Sequence, residues 1–358
     1  MRRVFGCFGM SAASLAVLAG AAPIDPAAAQ DSPSFAGKTI TMTIGFGAGG
    51  SVDLYGRTLG QYLVHYLPGQ PSLVVINQLG AGGVVALNSW VTKAEPNGLS
   101  VTLVAESQAD PDALLRTQAK YDTRTLKYVG GETAYSQGLF VNKDAVARLI
   151  DKTAKPVIMG LVGSTLRSGN YGVLWAADYL NWNVRWVRGY PSTSELRTAL
   201  ERGEIDMSTF GASRDIQGLI ASNDDKIVLQ GGTVRDGKRV PRAAFGDAPI
   251  LADLVKGKIT DPQAQKAFDY TEAVSQVGIW LALPPATPDN IVATYIKAFN
   301  ATLADPQYRA DFAKIDPDSP IATKTDIEDL VGKLAVTSPE TLDYIQNEIK
   351  RQDVDKTN

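Results

Sequence analysis

Three times between Lys38 and Gln118 the chain repeats one unit: a short β-branched run, a glycine-rich break and a stretch at helical spacing. Strands that alternate with helices in this way join a largely parallel sheet, because each helix carries the chain back to the edge it left. Strands are expected at 39–44, 72–76 and 99–105, with helices at 51–67, 84–93 and 112–118. The intervening loops then fall at the carboxyl ends of the strands, where open α/β sheets bind their ligands.

A second set of units follows a crossing strand at 138–141, with strands at 157–162, 184–188 and 205–210 and a helix at about 170–180. Ser192 and Glu195 have the S-x-x-E spacing of a capping box, opening a helix that Gly203 closes. A strand at 226–229 is placed to return to the first set. Residues 231–257, rich in Gly, Pro and Arg, read as irregular surface connection. The rest is mostly helical, with helices at 288–303, 306–315, 326–334 and 339–351, several opened by Pro at the first position. The expected fold is α/β: two lobes with mostly parallel sheets and a hinge of two crossing strands. Residues 30–136 and 229–358 form the first lobe and 137–228 the second.

Arg2 and Arg3 precede an apolar stretch from Val4 to Ala22 that ends in Ala27-Ala28-Ala29. A basic start, an apolar middle and small residues before a cut are the layout of a secretory signal peptide, so residues 1–29 are read as a leader cleaved near Ala29. Gly and Ser dilute the stretch, and Pro23 and Pro26 follow it, which argues against a membrane-spanning helix. The chain is therefore expected to be exported.

Composition narrows the chemistry. The chain has 358 residues, a formal charge of -3 and no long basic run, so the electrostatic footprint of a nucleic-acid binder is missing. One Cys and one His rule out zinc fingers, iron–sulfur cages, Cys–His nucleophiles and multi-histidine metal sites. There is no G-x-S-x-G elbow, and the nearest paired carboxylates, Glu204 and Asp206, frame a loop better than a scissile bond. Neither enzyme activity, cofactor nor metal is expected.

Backbone amides, hydroxyls and Arg remain. Gly45-Phe46-Gly47-Ala48-Gly49-Gly50-Ser51-Val52-Asp53 lies between a strand and a helix, where glycines let N–H groups approach a ligand and the helix amino end adds positive potential. Gly45, Gly47 and Gly50 also match G-x-G-x-x-G, the dinucleotide fingerprint, but Asn77 stands where that fold needs an acidic residue. Asp53 suits either a ligand contact or an ion pair with Arg57 four residues on. Gly80-Ala81-Gly82-Gly83 repeats the device after the second strand, and Ser107 lies in the third loop. In the second lobe, Gly163-Ser164-Thr165-Leu166-Arg167-Ser168-Gly169 adds hydroxyls and an Arg. Arg167, Arg185 and Arg188 are candidates for gripping a carboxylate, and Tyr190 ends a strand in a turn. The tryptophans of that lobe read as core. Gly49, Gly50, Ser107 and Arg167 join the candidate site on these grounds.

Taken in order, these segments resemble the periplasmic solute receptors of tripartite tricarboxylate transporters, the Bug receptors. The likeness rests on 44–53 with Arg57, Asn77-Gln78-Leu79-Gly80-Ala81-Gly82-Gly83, Pro96-Asn97-Gly98, Gly163-Ser164, Gly203-Glu204-Ile205-Asp206, Asp247-Ala248-Pro249-Ile250-Leu251 and Pro284-Pro285. It implies a Venus-flytrap receptor that closes on a small organic acid held by loop amides, hydroxyls and waters, then delivers it to membrane permease subunits. Carried over, it nominates Phe46, Gly47, Ser51, Asp53, Gly82, Gly83, Ser164, Thr165, Tyr190 and Asp206. Gly45 stands where the family has proline, Arg167-Ser168-Gly169-Asn170 where a histidine is common, and Gly189-Tyr190-Pro191-Ser192 where a Pro-Tyr-Lys-Gly turn is usual. The clamp therefore transfers while the identity of the acid does not. A monomeric transport receptor is the expected reading. The alternatives are an exported oxidoreductase that uses the first glycine loop for a dinucleotide, and a sensory receptor of the same architecture.

Overall fold

The computed structural model describes Met1, Gly6 and residues 33–110, 119–134, 136–162, 166, 169–190, 192–235, 238–315 and 320–354. In chain order the strands are β1 (Thr39–Ile44), β2 (Ser72–Asn77), β3 (Ser100–Val104), β4 (Lys127–Glu132), β5 (Gly138–Asn142), β6 (Val157–Val162) and β7 (Val184–Tyr190). They continue with β8 (Met207–Phe210), β9 (Asp225–Gln230), β10 (Thr233–Arg235), β11 (Lys238–Val240), β12 (Ile279–Leu283) and β13 (Ile321–Thr323). Two sheets carry the fold, ordered β13-β4-β12-β3-β1-β2 and β7-β6-β8-β5-β9.

Both sheets are mixed. In the first, β1 pairs in parallel with β2 and β3, as the βα alternation requires, while β12 inserts antiparallel between β3 and β4. In the second, β6 is parallel to β7 and β8, and β5 runs antiparallel to β8 and β9. β9 therefore stays in the second sheet instead of returning to the first. β4 and β12 escaped the sequence reading because Gly130-Gly131 breaks the apolar run of β4. That glycine pair is a packing requirement: a Cβ on Gly131 would lie 2.2 Å from the carbonyl oxygen of Ile279.

β1 shows why these residues form a strand. Thr and apolar residues alternate along it, and Ile40, Met42 and Ile44 bury one face beneath the helix Ser51–Tyr66. Val52, Tyr55, Leu59 and Leu63 of that helix join them in the same apolar core. The 193–201 helix opens as expected, with Ser192 Oγ accepting from the amide of Glu195 at 3.3 Å.

The chain leaves the first sheet after Glu132, enters the second at Gly138, and leaves that sheet after Gln230. The first crossing is short, whereas the return runs through the β10–β11 hairpin and further helices before β12 rejoins the first sheet at Ile279; the residues that enter and leave the second sheet are tied together. Gly231 N donates to Gln137 O at 3.0 Å, and Gly232 N to Ser136 Oγ at 2.8 Å. Residues 231–257 are not a loose surface connection. They hold the β10–β11 hairpin, and Arg242 is buried, donating to Ser136 O (3.3 Å), Gly211 O and Ser213 Oγ (3.0 Å) while its own amide reaches Gln230 Oε1 at 2.7 Å.

Helices from the second half of the chain bridge the two sheets. Trp175, on the helix Asn170–Tyr179, is 2% exposed and donates through Nε1 to Thr271 Oγ1 at 2.8 Å. The ring of Phe268 meets its indole edge-on at 5.5 Å. Both partners lie on the helix Pro262–Val274. Arg351, at the end of the helix Pro339–Arg351, pairs with Asp178. Trp182 and Trp186 are buried as well, so the tryptophans of this region serve packing. Among the described residues no helix is long and apolar enough to cross a membrane.

Candidate ligand-binding cleft

Because β1, β2 and β3 are parallel, their carboxyl ends deliver three loops to one edge of the first sheet. The antiparallel strands bring two more segments there: β4 ends at Glu132, opposite Ile279 at the start of β12. A cavity of about 240 Å³ opens at this edge. Its walls are Phe46, Ser51 and Val52 from the first loop and helix, Ala105, Glu106 and Ser107 from the third loop, Glu132, Ala134 and Gln137 around the first crossing, and 277–279.

The helix Ser51–Tyr66 begins at this cavity with Gly50 at its N-cap, and no side chain caps it. A helix amino end has unsatisfied N–H groups and a partial positive charge, both of which favour an anion. The first loop is braced from behind. Asp53, 1% exposed, accepts from Gly49 N at 2.8 Å, Arg57 Nε at 2.9 Å and Asn77 Nδ2 at 2.8 Å. Asn77 Nδ2 also donates to Phe46 O at 2.9 Å, and its Oδ1 accepts from Arg57 Nη2 at 2.9 Å. Burial pushes the Asp53 carboxyl up, but the bonds from Arg57, Gly49 and Asn77 outweigh it and hold the pKa below its ordinary value. Asp53 thus works on the loop itself, and its oxygens are engaged there.

The other expected site residues divide. Phe46, Ser51 and Ser107 line the cavity. Gly47, Gly49 and Gly50 are exposed in the first loop, where Gly50 N turns inward to Gly47 O at 3.2 Å and Gly49 N to Asp53. Gly82 and Gly83 sit beside the third loop: Ser107 Oγ donates to Gly82 O at 2.5 Å, and Gln108 Nε2 to Gly83 O at 3.1 Å. Tyr190 ends β7 opposite Val162, at the carboxyl end of β6, and burial raises its hydroxyl pKa. Ser164, Thr165 and Arg167 lie outside the described residues. Asp206 leaves the set. It precedes β8, accepts from the amide of Ile158 at 2.8 Å and pairs with Arg148 at 2.5 Å, and Ile158 is the second residue of β6, so Asp206 occupies the amino-terminal edge of the second sheet. Arg185 is exposed on the edge strand β7.

Glu106, Glu132, Gln137 and 277–279 were not foreseen. The glycine pair in β4 and the apolar run at 279–283 were the available signals, since both mark strands that end at this edge. A larger groove of about 790 Å³ lies on the second sheet, with Trp182 ahead of β7 and Asp225 opening β9 in its wall. It belongs to the amino-terminal edge, away from the loops where parallel sheets bind ligands.

No protein-family model and no curated protein sequence matches the chain. Solved structures do. A TctC solute binding protein from Polaromonas, without ligand, aligns over 87% of this chain and 98% of its own at 16% identity, with a TM-score of 0.62. An R. palustris protein solved with adipate aligns over 88% and 97% at 17% identity, with a TM-score of 0.61. The periplasmic binding protein BugD aligns over 88% and 98% at 19% identity, with a TM-score of 0.59. At such identities the shared property is the fold, which is the two-lobed architecture of periplasmic binding proteins.

Proposed function

We propose that this chain is an exported solute receptor of the tripartite tricarboxylate type, which captures a small organic carboxylate between its two lobes and presents it to membrane permease subunits. The observation that carries the reading is the uncapped amino end of the helix Ser51–Tyr66 opening into a cavity at the carboxyl edge of a sheet with this fold. The volume of about 240 Å³ suits a molecule of a few carbon atoms, and the neighbour that carries adipate makes a dicarboxylic acid the first probe. Closure follows from differential contact: an acid held by first-lobe amides favours the closed form only through what it gains from the second lobe.

The dinucleotide alternative loses ground on Asn77. Its amide donates to both Phe46 O and Asp53 Oδ1, a task that a ribose-binding carboxylate at that position could not perform. Calorimetric titration with dicarboxylic, amino and aromatic acids tests the proposal. A saturable heat with at least one class is expected, and silence across the panel, or tight binding of a nicotinamide cofactor, would refute it. Pull-down of permease subunits from membranes of the source cell separates transport from sensing.

A further inference from the structure

Gln137 belongs at once to the cavity, the hinge and the second lobe. It is one of the residues that line the cavity. Its carbonyl accepts from Gly231 N at 3.0 Å, which joins the two crossing segments. Its amide packs against Gly169, at the mouth of the helix Asn170–Tyr179: a Cβ on Gly169 would stand 2.8 Å from Gln137 Oε1 and 2.9 Å from Gln137 Cβ. The neighbouring Ser136 is bound in the same way, its hydroxyl accepting from Gly232 N and its carbonyl from Arg242. We infer that Gln137 is the residue through which an acid in the cleft reaches the hinge, its amide bonding the ligand's distal polar group while its backbone sets the crossing segments.

The inference rests on the carboxylate-receptor reading for its ligand half. The chemistry follows from the side chain. An amide offers both a donor and an acceptor, so it can meet a carboxylate, a hydroxyl or a carbonyl without bringing a charge into a wall that already holds Glu106 and Glu132. A lever needs a rigid far end, and Gly169 supplies the seat. Its φ of -60° and ψ of -17° are ordinary for any residue, so glycine is not required there by backbone conformation. The space for the Gln137 side chain is what glycine provides.

Three variants test this. Gly169→Ala adds a methyl without backbone strain and displaces the Gln137 side chain; Gln137→Ala removes that side chain; Gln137→Glu keeps its length and changes its charge. Hydrogen exchange of the peptide that carries Gly231 and Gly232 is read first without ligand. Gly169→Ala and Gln137→Ala should speed it about five-fold or more while Gln137→Glu leaves it near wild type. Adipate titration comes second, and Gln137→Glu should weaken binding about ten-fold by placing like charge beside the acid, an effect that a purely structural residue would not show. Unchanged exchange in both Gly169→Ala and Gln137→Ala, or unchanged adipate affinity in Gln137→Glu, would overturn the inference. If adipate fails to bind the wild type, the carboxylate reading has failed for this probe, and the exchange measurement still decides whether Gln137 sets the hinge.

Discussion

A Cβ placed on Gly45 would lie 2.6 Å from the Cα of Gly83, so the first and second loops of the cleft touch backbone to backbone. Gly83 in turn has φ +91°, and a Cβ there would meet Gln108 Cδ at 2.7 Å. Gln108 locks the stack by donating to Gly83 O and accepting from Ala105 N at 3.1 Å. Three loops are thereby held in one register by the absence of two side chains. Gly45→Ala should force the first two loops apart, because the group it meets is backbone and cannot rotate away. The expected cost is about 1–3 kcal/mol of stability. Adipate affinity should fall about ten-fold or more, since tenfold corresponds to only about 1.4 kcal/mol. Urea unfolding and calorimetry check both, and an unchanged affinity would mean that the stacking does not shape the site.

Asp53 makes a second prediction, with a definite pH dependence. A carboxyl whose folded pKa lies below its ordinary value of 3.8 adds stability that is fully present above that value and disappears as pH falls through the folded pKa. Asp53→Asn turns an N–H group toward donors that now have no acceptor, so at pH 7 it should cost about 2–3 kcal/mol. The gap between wild type and variant should narrow once the pH drops below about 4. Unfolding midpoints measured from pH 7 to pH 3 give the test, and a gap that widens on acidification would contradict it.

The first half of the fold was legible because each βα unit carries its own local signals. Thr39–Ile44 alternates, Gly50 precedes a helical period, and Ser192 with Glu195 marks a cap; none of these needs information from elsewhere in the chain. β4 and β12 were opaque for the opposite reason. Gly130 and Gly131 look like a break until Phe299 and the backbone of Ile279 are seen against them. Half of the cavity wall rests on those two strands, so Glu132 and Gln137 were hidden with them. Asp206 shows the reverse error. Its acidic motif was visible, but only the parallel pairing of Met159 with Met207 reveals which edge of the sheet it occupies. The Arg-rich segment looked like solvated surface because Arg242 finds its partners twelve or more residues away in sequence, at Ser136, Gly211, Ser213 and Gln230.

Asp225 should behave oppositely to Asp53. Its Oδ1 is buried without a hydrogen-bond partner in the wall of the second-sheet groove. Burial, then the charges of Asp224 and Glu201, push its pKa up to about 6, against the opposing pull of Lys143. A carboxyl that binds its proton more tightly when folded lowers stability above that pH and gives the loss back as pH falls toward the ordinary value of 3.8. Asp225→Asn should therefore raise the melting temperature at pH 8, with the advantage shrinking through pH 6 and vanishing near pH 4. Thermal melts across that range are sufficient, and a variant less stable than wild type at pH 8 would show that the charge has a partner in solution.

Ser51 and Ser107 both line the cavity, yet the hydrogen bonds predict unequal roles for them. Ser107 Oγ gives its proton to Gly82 O at 2.5 Å, so it presents lone pairs to the cleft, and a carboxylate needs donors. Ser51 opens the uncapped helix and lines the same cavity, so its hydroxyl is the available side-chain donor at that helix end. Ser51→Ala should weaken adipate binding about five- to twenty-fold, the loss of one hydrogen bond to a charged acceptor. Ser107→Ala should change affinity by less than about three-fold while costing about 1 kcal/mol of stability, because it releases the second loop from the third. Paired titration and unfolding of the two variants separates a ligand donor from a loop tether. The reverse order, with Ser107→Ala losing affinity and Ser51→Ala keeping it, would mean that the acid draws its donors from the third loop and that the helix end is only scaffold.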